Sequence, residues 1–206
     1  MRAWEELEPP WREAFALAWE AYGAGTIPVG AVVTRDAEII ARGRNRLFEH
    51  VAPRGEIAGS RIAHAEMNAI AHLPIEELYH DCVLWSTLEP CPMCIGAAWL
   101  GTIGTVRYAG GDAYGGAARL IEAQLERIDR ARSDPLTVEG PLAGPFGTLG
   151  ELLHIEWFVA TRPEHRVTRA FREYRPELVA LAERVRLHEH VGAPLEEALP
   201  LFLDEL

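Results

Sequence analysis

Between residues 9 and 22 apolar side chains recur at helical intervals. Trp11, Phe15, Ala18, Trp19 and Tyr22 fall at i, i+4, i+7, i+8 and i+11, which places them on one face of an amphipathic helix. Pro9 and Pro10 suit its first turn, and Gly23-Ala24-Gly25 its end. The pattern then becomes β-rich: residues 29–34 and 38–43 form two short runs around the polar turn Arg35-Asp36-Ala37, a hairpin signature. Residues 46–60, with Pro53, Gly55, Gly59 and Ser60, have loop composition. Residues 62–73 read as a helix closed by Pro74, 81–88 as a buried strand broken by Glu89-Pro90, 91–100 as a helix, 105–109 as a strand and 117–132 as a helix. Val138 is a candidate start for a fifth strand within a Gly/Pro-rich loop, and 149–160 reads as a helix. Further helical patterns cover 165–174, 176–190 and 195–203.

Strands alternating with helices imply βαβ crossovers and an α/β fold with helices on both faces of the sheet, a three-layer α/β/α arrangement. The expected organisation is one domain over 1–160 and a helical C-terminal extension, 161–206, packing on it.

With 206 residues, 49% of them apolar, the chain has enough material for one ordinary core. It contains no run of about 18 apolar residues, and its acidic N-terminus has no apolar segment, so the expectation is a cytoplasmic protein without membrane contact. The net charge is −11 and all 20 basic residues are arginine. That balance argues against a chain built mainly to hold nucleic acid, which needs a basic footprint. Of three cysteines, Cys82 sits in an apolar run and reads as a small buried hydrophobe, whereas Cys91 and Cys94 have metal-ligand spacing.

His64-Ala65-Glu66 and Pro90-Cys91-Pro92-Met93-Cys94 carry the chemistry. One imidazole and two thiolates are three zinc ligands, and a tetrahedral ion with three protein ligands keeps its fourth position for water. Both segments fall at predicted helix starts, where the positive end of the helix dipole favours thiolates. Glu66 is the remaining carboxylate, a base and then an acid for the proton that water releases. A purely structural zinc site would need a fourth protein ligand, and the nearby Cys82 and His72 lack suitable spacing. A redox Cys-x-x-Cys pair would leave His64-Ala65-Glu66 unexplained.

His-x-Glu followed by Pro-Cys-x-x-Cys is the signature of zinc-dependent nucleobase deaminases, and on these residues the chain resembles the cytidine deaminase superfamily. The likeness extends over roughly 9–160, through Ile27-Pro28-Val29-Gly30-Ala31-Val32, Gly43-Arg44-Asn45, Thr87-Leu88-Glu89-Pro90 and the stretch from Asp112 to Ala117. It is nearest the branch of tRNA adenosine, guanine and yeast-type cytosine deaminases. The resemblance implies one Zn²⁺ per chain on His64, Cys91 and Cys94, with Glu66 catalytic, and an assembly of two copies, with the helix face around Trp99 as a place for the contact. It implies substrate contacts from Asn45 and Ala65 and a pocket wall from Ile27 and Val29. Asp112 stands where the family has an acidic residue and reads equally as a loop cap. Asn45 has a turn reading beside the functional one. Trp157 falls where relatives bring an aromatic over the base, or is simply core.

Two substrates compete. An arginine row, Arg162, Arg166, Arg169, Arg172 and Arg175, speaks for RNA and hence for an A-to-I tRNA adenosine deaminase. The overall acidity, and the alternation of Glu with Arg along that row, speak for a small nucleobase or nucleoside, guanine- or cytosine-like, and this is the favoured expectation. A non-catalytic zinc-stabilised fold is a third class, and Glu66 would have no purpose in it.

Overall fold

The computed structural model describes residues 2–118 and 135–206. The helix expected over 117–132 lies, apart from its first two residues, outside them. Along the described chain run α1 (Arg2–Glu6), α2 (Pro9–Gly23), β1 (Gly30–Arg35), β2 (Glu38–Arg44), α3 (Ala65–Ile70), β3 (Cys82–Leu88), α4 (Pro92–Leu100), β4 (Thr105–Gly110), β5 (Thr137–Glu139), α5 (Pro145–Thr161), α6 (Arg166–Tyr174), α7 (Pro176–Val185) and α8 (Leu195–Ala198). The strands form one sheet in the order β2-β1-β3-β4-β5. β1 pairs antiparallel with both β2 and β3, while β3, β4 and β5 are parallel. The β3–α4–β4 passage is thus the expected crossover, and β1–β2 the expected hairpin.

Alternation along the central strands assigns each helix to a layer. Val32 and Trp85 face one side and join a core with Trp11 and Phe15 of α2 and Leu149, Leu152 and Trp157 of α5. Ala31, Val33 and Leu84 face the other and pack with Ala65 and Ala69 of α3 and Ile95 and Ala98 of α4. The fold is therefore the three-layer α/β/α arrangement. Phe171, Leu178, Leu187, Leu195, Leu199 and Phe202 belong to the same apolar cluster as α2 and α5, so the segments beyond 161 add to that layer. Among the described residues no helix is long and apolar enough to cross a membrane.

Several boundaries differ from the periodic reading. α3 is shorter than 62–73 because turns on both sides take the backbone groups it would need. Ala63 and His64 donate to Ser60 and Ile62 carbonyls, while His72 and Leu73 make tight bonds to Ala69 and Ile70. α5 starts at Pro145, earlier than 149, with Pro at its first position. The expected 176–190 helix ends at Val185, because Arg186 takes a left-handed conformation and a 3₁₀ turn follows. There the buried Glu156 accepts from the His188 backbone and ring and from the Tyr22 hydroxyl, tying α2, α5 and the C-terminal segment together. The 195–203 pattern holds as a helix only to Ala198 and continues in 3₁₀ turns around Pro200.

Gly43 sets how closely α3 lies on β2. A Cβ there would stand 2.2 Å from the Ala69 nitrogen and 2.3 Å from the Ala65 oxygen, both backbone atoms that cannot swing aside. Gly43→Ala is expected to cost about 1–3 kcal/mol by overpacking and to lower activity as well, since α3 carries His64 and Glu66 at its start. Urea unfolding and turnover on the same preparation check both.

Candidate active site

His64 and Cys91 occupy equivalent positions at two helix starts on the same face of the sheet. Each is an N-cap in extended backbone, His64 (φ −81°, ψ 157°) ahead of α3 and Cys91 (φ −71°, ψ 170°) ahead of α4. Their side chains can therefore leave the helix axis and meet, and Cys94, one turn into α4, completes the group. Cys91 Sγ and Cys94 Sγ are 3.6 Å apart, and His64 Nδ1 lies 3.7 Å from the first and 3.5 Å from the second. With Zn–S near 2.3 Å and Zn–N near 2.0–2.1 Å, a tetrahedral ion has ligand–ligand edges of about 3.8 Å (S–S) and about 3.6 Å (S–N). The donor triangle fits zinc.

The charge state fits it too. The hydrogen bond with Cys94, helped by that with His64, pulls the Cys91 thiol down to about 4, whereas its bond to Cys91 and burial push Cys94 up. One thiolate is already favoured at the open end of a helix, the chemistry a divalent cation requires. His64, Cys91 and Cys94 form a potential zinc site.

Glu66 sits in the first turn of α3, 4% exposed, and is no part of the donor triangle. Ser86, fully buried on β3, donates to its Oε1 at 3.1 Å. Burial raises the Glu66 pKa above the ordinary carboxylate value.

Glu66, His64 and Cys91 open into a cavity of about 80 Å³, whose other walls are Ile27, Val29, Asn45, Leu88, Glu89, Asp112 and His154. Asn45 follows β2. Its Oδ1 accepts from the Thr26 hydroxyl at 2.8 Å and the Leu47 N–H at 3.0 Å. The turn contact exists, and because it occupies the oxygen, the amide NH₂ is the group left to face the cavity. Glu89 accepts from the Asp112 and Ala118 N–H groups and so closes the loop after β4 against the end of β3. Asp112 caps that loop by accepting from the Tyr114 N–H at 2.9 Å, and it lines the cavity as well.

The structure thus brings Ile27, Val29, Asn45 and Asp112 to the side chains of the motif. The Ala65 side chain is buried in the α3/α4 layer, and its N–H is among the opening donors of the helix. Trp157 lies elsewhere: it is fully buried, stacked on Phe48 at 5.4 Å and set edge-on against Phe158, and it does not line the cavity. One turn earlier on α5, His154 does. Ser86, Leu88, Glu89 and His154 are the site residues not singled out from sequence. Glu89 stands inside the motif stretch, and Ser86 follows the apolar run from Cys82 to Trp85 in β3. His154 had only its polarity in an apolar run to mark it.

Residues 5–109 match the model of the cytidine and deoxycytidylate deaminase zinc-binding region. The chain belongs to this family. Among its relatives, the guanine deaminase of Bacillus subtilis is 37% identical over 102 residues, 48% of this chain and 60% of that protein. A tRNA(Ile)-lysidine synthase of Deinococcus radiodurans is 40% identical over 109 residues, 51% of this chain. The match covers only 17% of that synthase and 22% of its Deinococcus deserti counterpart, so this deaminase-family chain spans about a fifth of those relatives. Among solved structures, one from work on A-to-I editing by tRNA:A34 deaminases superposes with a TM-score of 0.52 at 29% identity, covering 68% of this chain and 97% of that one.

Proposed function

We propose that the protein hydrolytically deaminates a small nucleobase or nucleoside with a guanine- or cytosine-like amino heterocycle, replacing the exocyclic amine with a carbonyl and releasing ammonia. The observation that carries the reaction is a buried carboxylate, Glu66, sharing one cavity wall with a zinc-shaped donor triangle that, among the described residues, has three protein ligands. When held by His64, Cys91 and Cys94, zinc supplies the Lewis acidity that makes water nucleophilic near neutral pH. Glu66, steadied by Ser86, takes the proton from the attacking water as the new C–O bond forms and delivers it to the adjacent ring nitrogen. It then carries the second proton to the amine as the C–N bond breaks. Asn45 orients the base by donating its NH₂ to a ring acceptor, and Ile27 and Val29 hold the ring's apolar face.

Charge supports a small substrate over RNA. The chain carries a net charge of −11, and within the arginine row Arg175 is neutralised by Glu151 and Glu177. Counterion release from RNA requires such cations to be available. The second reading, an adenosine deaminase acting on tRNA, is favoured by the likeness to the tRNA:A34 deaminase structure over nearly all of that chain. Ammonia release from guanine, cytosine, adenine, their nucleosides and an adenosine-containing anticodon stem-loop decides between them. Turnover of a free base or nucleoside is expected, and activity on the stem-loop alone would reverse the order.

Asn45→Asp keeps the oxygen contacts to Thr26 and Leu47 but turns the cavity-facing donor into an acceptor. A fall in kcat/KM of about 10- to 100-fold is expected from one mispaired buried hydrogen bond, with a lower melting temperature at neutral pH because the new carboxyl is buried.

A further inference from the structure

His154 is 8% exposed and lines the cavity beside Asp112, Asn45 and Glu66. Its ring is gripped edge-on by Phe158 and Phe171, each 5.3 Å away at 74° and 78°. These contacts fix the imidazole plane without pairing either nitrogen, and among the described residues neither ring nitrogen has a hydrogen-bond partner. Neither nitrogen is among the buried unpaired side-chain atoms of the described residues, so the ring reaches the open space of the cavity. A ligand there would find an oriented imidazole free to pair with it.

The grip itself comes from beyond the span matched to the family. Phe171 belongs to α6, which is pinned to α5 by Thr168 donating to the Phe158 and Arg162 carbonyls. Phe171 also meets Tyr114 of the Asp112 loop edge-on at 6.3 Å. The C-terminal helices and the Asp112 loop are thereby joined around this one imidazole.

We infer that His154, together with Asp112, is a specificity-determining contact that reads a ring N–H next to a carbonyl, the lactam edge of guanine or of free cytosine. The inference rests on the deaminase function proposed above. The cavity offers a donor from Asn45, an acceptor from Asp112, and one of each from a neutral imidazole. Burial keeps His154 neutral: it lowers the pKa, with Asp112 opposing and His64 adding to the effect. Guanine and free cytosine each present an N–H beside a C=O and satisfy both kinds of group. Adenine presents only acceptors (N1, N3, N7) besides its amine and N9, and cytidine has lost the N–H to its sugar, so either would leave Asp112 facing another acceptor.

The experiment compares wild type, His154→Phe and His154→Gln on guanine against 2-aminopurine, which lacks the lactam, and on cytosine against cytidine. Phe suits the aromatic surroundings, and Gln keeps a donor and an acceptor. For whichever lactam base the wild type accepts, His154→Phe is expected to lower kcat/KM by about 10- to 100-fold with little change for the lactam-free partner, and His154→Gln to recover part of the loss. Unchanged discrimination in His154→Phe, with folding intact, would overturn the role of His154 and leave the deaminase reading standing. A zinc-loaded wild type inert toward every free base and nucleoside would instead overturn the functional reading, and the inference with it.

Discussion

Glu66→Gln is expected to abolish ammonia release, cutting turnover by about 10²–10⁴-fold, the range for loss of a positioned proton carrier. The substitution is close to isosteric, and the amide oxygen can still accept from Ser86, so the cavity keeps its shape. What disappears is the ability to hold a proton between the attacking water and the ring. Because Glu66 is outside the donor triangle, the zinc content of the variant is expected to equal that of wild type. Its stability should hold or rise: burial raises the carboxyl pKa, so the fold disfavours the charged form, and a neutral amide escapes that penalty. Turnover, zinc per chain and melting temperature measured on one preparation separate this outcome from simple unfolding. A Glu66→Gln protein that keeps full turnover would remove Glu66 from the mechanism.

The motif was legible because its geometry is local. A His N-cap with Glu two positions on, and a Cys N-cap with a second Cys one turn later, fix most of the relevant vectors within two short helix starts. The central strands read correctly because both faces of β1 and β3 are covered, leaving continuous apolar runs. The far wall of the cavity was less legible, since it depends on how α5 is rotated against the sheet. His154 and Trp157 are three residues apart on that helix, and periodicity alone cannot say which looks into a cavity and which into the core. The choice is made by Phe48, which stacks on Trp157. Phe48 comes from the 46–60 loop, whose position is set by Arg44 and Arg46 on Glu49, by Arg46 on Glu56, and by Asn68 bonded to Ile57. These pairings lie three to eleven residues apart and leave no periodic trace. The arginine row is only partly one face: Arg166, Arg169 and Arg172 are exposed on α6, whereas the helix breaks at Arg162 and Arg175 set the first over Phe48 and the second on Glu151.

The second large effect is expected on removing the metal. Where free zinc stands at 10²–10³ times its Kd, binding to the folded state alone adds about 3–4 kcal/mol of stability. A strong chelator should therefore lower the melting temperature of wild type by roughly 10 °C for a chain of this size and stop turnover, with zinc restoring both. Cys94→Ala should be inactive and melt near the chelated wild type, and chelator should move it no further, because the triangle has lost the corner that His64 and Cys91 close at 3.5 and 3.6 Å. Cys82→Ala is the control. Cys82 is equally buried but lies in β3 outside the donor group, so that variant should keep the full chelator response. If chelation leaves wild type as stable as before while turnover stops, zinc does not favour the folded chain over the unfolded one, and the expected linkage is wrong. If Cys94→Ala still responds to chelator, another residue supplies the third ligand, and the match between the donor triangle and a tetrahedral ion is coincidental.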